Sequence, residues 1–151
     1  MNLKLNISTC PNDTFMFDAM LHGRIDTEGL TFDLNLADIE QLNQAVLEDG
    51  PDISKLSYAV VPQICDHYKV LNSGSALGRG NGPLLVSRHK IYPDELYDAQ
   101  IAIPGVHTTA NLLMSRIYPA AQNKRAYLFS DIADAVMSGE CDAGVLIHEG
   151  R

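Results

Sequence analysis

One stretch constrains this chain more than any other. From Ala99 to Met114 a short apolar run meets a break at Pro104-Gly105, and a helix then opens on Thr108 and Thr109. It reads as strand, tight loop and helix N-terminus. Ile101 and Ile103 suit a buried strand, and Gly105 permits a turn conformation that other residues resist. Leu112, Leu113 and Ile117 mark the apolar face expected of the helix. The first amides of such a helix have no intrahelical partner, and their partial positive charge accepts a carboxylate or phosphate, with the two threonine hydroxyls as added donors. The junction is therefore a candidate anion site. The plainer reading is that the threonines only cap the helix, and one strand-Gly-helix junction does not decide between the two.

Composition narrows the partners. The chain has 151 residues, enough to bury a sizeable core, and no long polar or Pro-rich tract interrupts it. Its formal charge is -8 and its Lys and Arg residues never cluster, so neither nucleic acid nor an anionic membrane surface is an expected partner. The same balance weakly repels an anionic ligand at long range, so an anion site here must work through close, directed donors.

Cys10, Cys65 and Cys141 lack any Cys-x-x-Cys spacing, which argues against a disulfide framework or a zinc knuckle and for reduced thiols. His22, His67, His89, His107 and His148 show no metal-ligand spacing, so no metal is expected. Between Met1 and Met20, polar residues such as Lys4, Asn6, Asn12 and Asp13 interrupt the apolar ones too often for a signal-peptide core or a membrane span. The expected compartment is the cytoplasm.

The chain alternates strands and helices. Leu3, Leu5 and Ile7 alternate with polar residues as a first strand, and the turn from Ser8 to Asp13 leads into a helix from Thr14 to Leu21, stopped by Gly23. This passage echoes Ile103 to Met114, since both run from a strand through a Pro-containing, Thr-rich turn into an apolar helix. Two such helix ends are expected to serve one ligand. Leu30, Phe32, Leu34 and Leu36 give the clearest strand, and Asp38 with Gln41 forms a capping box for a helix whose Ile39, Leu42, Val46 and Leu47 share a face. Gly50 and Pro51 end it. Asn43 lies at the edge of that stripe, where its amide either reaches a cleft or meets water.

Asp52 to Leu56 reads as a short strand, and Ser57 stands at the next helix start, as a plain N-cap or as another hydroxyl offered to a ligand. Lys69 to Leu71 is a further candidate strand. Gly74 to Gly82 is a Gly-rich loop without the lysine and serine pattern of a phosphate loop, and Pro83 to Ser87 is a strand leading out of it. The polar passage after Arg88, with Pro93, is a candidate crossing between lobes. Ala126 to Phe129 is then a strand, Ser130 caps a helix ended by Gly139, and Asp142 to Ile147 is the last strand.

This alternation indicates an α/β protein, in which strand-end loops carry the ligand site. An apolar strand ending in His148-Glu149-Gly150-Arg151 with no covering helix reads as the middle of a domain, so a truncated chain is expected.

Five segments in order resemble a known family. They are Ser8-Thr9-Cys10-Pro11-Asn12-Asp13-Thr14-Phe15, Lys55-Leu56-Ser57-Tyr58, Gly82-Pro83-Leu84-Leu85, Pro104-Gly105 with Thr108-Thr109-Ala110, and Ile147-His148-Glu149-Gly150-Arg151. Each alone is weak, but together they resemble the 1,4-dihydroxy-6-naphthoate synthases of the futalosine route to menaquinone. The resemblance implies a two-lobed fold like the type II periplasmic binding proteins, used as a cytoplasmic enzyme. It also implies that residues 1–88 form most of a first lobe and 89–151 the first half of a second.

The implied reaction is a carbon-carbon lyase step, the cleavage of cyclic dehypoxanthinyl futalosine to 1,4-dihydroxy-6-naphthoate, without a cofactor. The resemblance assigns Asn43, Ser57, Thr109 and Ala110 to holding a carboxylate substrate and His148 to the base that starts bond breaking. The residue chemistry agrees with those roles. Thr109 and the Ala110 amide stand at a helix N-terminus, and an imidazole with an ordinary pKa of about 6.5 can move a proton near neutral pH. Two rivals stay open: the sibling enzyme that dehydrates chorismate, and a non-catalytic module that only clamps a small anion.

Overall fold

The computed structural model describes residues 1–80 and 82–147, and the chain divides into two compact units, Met1–Leu77 and Gly78–Arg151.

The first unit is built on three parallel strands, β1 (Asn2–Ser8), β2 (Thr31–Ala37) and β3 (Ile53–Ser54), in the order β2-β1-β3. Helix α1 (Pro11–Leu21) connects β1 to β2, and α2 (Ile39–Leu47) connects β2 to β3. As the central strand, β1 is covered on both faces in its second half. Leu5 and Ile7 are buried, and so are the polar residues between and after them, Asn6 and Ser8. A short helix α3 (Val61–Ile64) follows a 3-10 turn and packs Val60 and Ile64 against Val46 of α2.

Local signals set most of these boundaries. The Asp38 box forms as expected: its carboxylate accepts from the Glu40 amide at 3.0 Å, and its own amide donates to Gln41 Oε1 at 3.1 Å. Helix α1, in contrast, starts three residues before Thr14. Pro11 takes a first-turn position, where its missing N–H is no loss, and the Thr14 hydroxyl donates back to the Cys10 and Pro11 carbonyls. Gly23, at φ 64°, ends the helix as read from the sequence. Leu34 and Leu36 of β2 are 39% and 49% exposed, so their alternation marks a strand without marking a covered face. Lys69 to Leu71 pairs with no strand and is irregular.

The second unit carries a four-stranded sheet in the order β4-β7-β5-β6, made of β4 (Leu84–Ser87), β5 (Ile101–Ile103), β6 (Lys124–Ala126) and β7 (Ala143–Leu146). Strand β5 is parallel to both β6 and β7, while β4 runs antiparallel to β7. Helix α4 (Thr109–Ile117) links β5 to β6, and α5 (Ile132–Ser138) links β6 to β7. Ile101, Ile103 and Val145 form the core beneath α4, while Ala102, Ile132 and Leu146 form a second core under α5.

Four expectations change here. The boundary near Arg88 moves: Leu84 pairs with Leu146 and Ser87 with Ala143, so the strand after the Gly-rich loop belongs to the second sheet and the division falls after Leu77. The stretch from Arg88 to Pro93 therefore connects two strands of one sheet. Strand β6 is Lys124–Ala126, and Phe129 lies in a 3-10 turn. Ser130 does not cap α5; its hydroxyl donates to Asp131 Oδ1 at 2.8 Å. Finally, Leu112, Leu113 and Ile117 are 53%, 41% and 64% exposed, and α4 instead turns Ala110, Asn111 and Met114 inward. Small Ala110 permits close approach to the sheet, and Asn111 finds a backbone partner, so the polar side chain is accommodated inside.

Gly144 sets how closely α5 approaches. A Cβ there would lie 2.7 Å from Ile132 Cγ2 and 2.8 Å from Val136 Cγ2. Among the described residues, no helix is long and apolar enough to cross a membrane.

Candidate ligand-binding crevices

Each sheet contains one point where successive connections leave in opposite directions, and in open α/β sheets ligands bind outside the strand carboxyl ends at such a point. In the first unit α1 carries the chain from β1 to β2 on one side, and α2 carries it back across β1 to β3. The switch point therefore lies between the carboxyl ends of β1 and β3. Ser8 closes β1 there, and Lys55 and Ser57 follow β3. In the second unit α4 leads from β5 to β6, and α5 returns across β5 to β7, so the equivalent point lies between the ends of β5 and β7.

Asn43 and Ser57 meet at the first of these points. Asn43 is fully buried and Ser57 is 8% exposed. The Ser57 amide donates to Asn43 Oδ1 at 2.8 Å, and Asn43 Nδ2 donates to Ser57 Oγ at 3.1 Å. Two readings open in the sequence are settled by this contact. Asn43 is not a solvated helix residue, and Ser57 is not a side-chain cap, because its hydroxyl makes no capping bond to the turn that follows. Ser57 Oγ accepts from Asn43, which uses one lone pair and leaves the hydroxyl hydrogen to donate elsewhere.

Asp13 and Lys55 lie beside this pair and are not singled out by sequence reasoning. Asp13 is fully buried in the first turn of α1; its Oδ2 accepts from Ser8 N at 3.1 Å and Ser8 Oγ at 2.7 Å, and its Oδ1 from Lys55 Nζ at 2.8 Å. The carboxylate thereby ties the end of β1 to the segment after β3. The early helix start at Pro11 is the signal that puts Asp13 in the first turn, facing the amide end of the helix.

At the second switch point, Pro104 and Gly105 follow β5, with Gly105 at φ 139°. Thr108 is the N-cap of α4: its Oγ1 accepts from Asn111 N at 3.3 Å and donates to Gly105 O at 2.8 Å. For Thr108 the plain capping reading holds. Thr109 is the half-buried first residue of the helix, and Ala110, 7% exposed, is the next. Asn111, also missed from sequence, donates from Nδ2 to Val106 O at 2.8 Å, so one side chain braces the loop that presents the Thr109 and Ala110 amides. Behind it, Lys124 Nζ donates to Ser115 Oγ at 2.6 Å, and Ser115 Oγ to Asn111 O at 2.7 Å. Burial pushes the Lys124 ammonium below the ordinary lysine range.

The structure thus pairs Asn43 with Ser57 in the first unit and sets Thr109 beside Ala110 in the second. His148 lies outside the described residues; β7, the strand that precedes it, has its carboxyl end beside that of β5. A cavity of about 330 Å³ lined by Arg88, His89, Glu95 and Asp142 opens instead at the amino ends of β5 and β7, and none of the predicted site residues lines it. Among the described residues, no group of three His, Cys, Asp or Glu side chains is placed to hold a metal ion.

Comparison with known proteins agrees with both the fold and the motifs. The chain is 42% identical over 149 residues to the 1,4-dihydroxy-6-naphthoate synthase of Thermus thermophilus, a match covering 99% of this chain and 53% of that protein. It is 38% identical over 154 residues to the enzyme of the same name from Streptomyces coelicolor, covering 99% and 54%. The chain therefore spans about half the length of the curated relatives it matches. A crystal structure of an Archaeoglobus fulgidus protein superposes with a TM-score of 0.90 at 34% identity, over 99% of this chain and 55% of that one. The binding component of a phosphonate transporter from Pseudomonas aeruginosa superposes at 0.63 with 15% identity, over 99% and 58%, which shows the fold: that of the type II periplasmic binding proteins. The family model for menaquinone biosynthesis matches residues 3–151, and the chain belongs to that family.

Proposed function

We propose that this chain carries the substrate-holding half-sites of an enzyme that forms 1,4-dihydroxy-6-naphthoate, the product named for its relatives, by carbon-carbon cleavage of cyclic dehypoxanthinyl futalosine in the cytoplasm. The observation that carries the reading is the reciprocal Asn43–Ser57 pair. A fully buried amide fixes a hydroxyl at a strand switch point, where neither residue is needed as a helix cap. Ser57 donates to a substrate oxygen, and the Thr109 and Ala110 amides at the start of α4 bind the carboxylate. His148 removes the proton that starts bond cleavage, a role drawn from sequence alone. No cofactor is required for such a step: a base takes the proton, and the electron pair left behind is stabilised by directed donors as the bond breaks.

The test is substrate choice. The chain is incubated separately with cyclic dehypoxanthinyl futalosine and with chorismate, and products are resolved by mass spectrometry. The expected result is the dihydroxynaphthoate from the first substrate and unchanged chorismate. Dehydration of chorismate would reassign the chain to the sibling reaction. Tight binding of either compound without turnover, in wild type and Ser57→Ala alike, would leave a binding module.

A further inference from the structure

The cavity of about 330 Å³ lies wholly within the second unit, at the amino ends of β5 and β7 and so at the opposite strand end from Thr109 and Ala110. Its charges are mixed. Arg88 and His89 line it from the segment after β4, Glu95, Asp98 and Asp142 line it with carboxylates, and Ile91 and Ala99 supply an apolar wall. Opposite charges around so small a space attract each other. Arg88 nevertheless stays apart: among the described residues no carboxylate oxygen lies within 4.0 Å of its guanidinium, and the guanidinium makes no hydrogen bond.

Local contacts hold the charges separate. The Gln100 amide donates to Asp142 Oδ2 at 2.8 Å, and the Tyr92 amide donates to Glu95 Oε2 at 2.7 Å. Neither carboxylate can swing toward Arg88 without giving up that bond, and each keeps a second oxygen to which no described residue donates. The guanidinium, for its part, lies against Gly139, where an added Cβ would meet Nη2 at 2.6 Å and Cζ at 3.0 Å. This is the carbonyl end of α5, where a cation is favoured, and the glycine leaves room for it.

One cavity thus offers a fork of donors and two fixed acceptors that do not satisfy each other. A simple anion would match Arg88 but meet the three carboxylates, and a simple amine would match the carboxylates but leave Arg88 without an acceptor. A molecule that carries both charges a few bonds apart satisfies both sides. The volume sits at the low end of ligand sites, which run from about 300 to 1,000 Å³, so that molecule is small.

We propose that this cavity binds a free α-amino acid with an aliphatic side chain: its carboxylate on Arg88, its ammonium on the acidic wall of Glu95 and Asp142, and its side chain against Ile91 and Ala99. Such a site lies outside the reaction proposed above and neither needs it nor alters it.

The experiment is an amide NMR titration of the intact chain with L-leucine, with isocaproate, which lacks the ammonium, and with isoamylamine, which lacks the carboxylate. Wild type should bind leucine with a Kd of about 1 mM or below and each half-analogue at least about tenfold more weakly. The shifts should centre on the amides of Gln100 and Asp142 and spare those of Ser57, Thr109 and Ala110. Arg88→Gln should bind leucine no better than isoamylamine, and Glu95→Gln/Asp142→Asn no better than isocaproate. Both variants are expected to fold, since Arg88 has no partner to lose and the two amides keep an oxygen for the Tyr92 and Gln100 N–H groups. Should the double variant unfold, Arg88→Gln alone decides.

Leucine bound by wild type no more tightly than its half-analogues, or bound equally by wild type and Arg88→Gln, would overturn the proposal. So would the absence of shifts at Gln100 and Asp142 up to about 10 mM leucine. Shifts confined to Ser57, Thr109 and Ala110 would place the amino acid in the crevices at the strand carboxyl ends and overturn it as well.

Discussion

Asn43 and Ser57 hold each other through two hydrogen bonds of opposite direction, 2.8 Å from the Ser57 amide to Asn43 Oδ1 and 3.1 Å from Asn43 Nδ2 to Ser57 Oγ. Both residues are buried, so the pair is a structural tie between α2 and the segment after β3. Ser57→Ala should leave the backbone bond and reduce Asn43 Nδ2 to its longer contact with Glu40 Oε2 at 3.5 Å, costing about 1 kcal/mol of stability. Asn43→Leu removes both bonds and leaves the Ser57 amide without its acceptor, so it should cost more. Urea unfolding of the two variants checks the order; equal losses would mean that the Nδ2–Oγ bond carries most of the tie.

A second expectation concerns the loop after β5. Asn111→Leu keeps the size of the side chain but removes the Nδ2 donor that holds Val106 O at 2.8 Å. A lost bond of this kind costs about 0.5–1.5 kcal/mol, and more if the carbonyl is left buried without a partner. The amides of Thr109 and Ala110 should then exchange with solvent faster, while those of β6 should not change. Hydrogen exchange read residue by residue makes the comparison, and uniform acceleration across the second unit would instead indicate global destabilisation.

Gly144→Ala tests the packing under α5. The added methyl would lie 2.7 Å from Ile132 Cγ2 and 2.8 Å from Val136 Cγ2, so either the helix or the strand must shift, at about 1–3 kcal/mol. Val136→Ala costs stability on its own by removing buried methyls, yet combined with Gly144→Ala it should cost less than the two losses added together. Strict additivity in denaturant unfolding would show that the helix moves away freely.

What was legible in the sequence followed the range of the interactions involved. The Asp38–Gln41 box, the Thr108 cap and the stop at Gly139, which sits at φ 85°, are each written within a few neighbouring residues, and each forms. The burial of Asn43 was not legible, because its partner Ser57 is 14 positions away and lies near only once β3 has folded beside β1. Asp13 and Lys55 are 42 positions apart, and the same separation hides their pairing in the sequence. The boundary at Arg88 failed because strand β4 shows its membership only through antiparallel pairing with β7, more than 50 residues later. On α4, Leu112, Leu113 and Ile117 outweighed Ala110 and Met114 as a hydrophobic pattern, but the sheet accepts the face whose residue nearest the strands is small. The five family segments were legible because they are short and ordered, and residues 3–151 match the family accordingly.

The most direct test of the catalytic reading is the single-turnover rate of dihydroxynaphthoate formation from cyclic dehypoxanthinyl futalosine, measured with wild type and His148→Ala alongside the affinity of each for the substrate. Loss of a general base lowers the rate by about a hundred- to ten-thousand-fold, whereas the donors on Ser57 and Thr109 remain in place. The account predicts product from wild type, a loss of that size in His148→Ala, and affinity within a few fold. Product formed at equal rates by both proteins, or none formed by wild type, would contradict it.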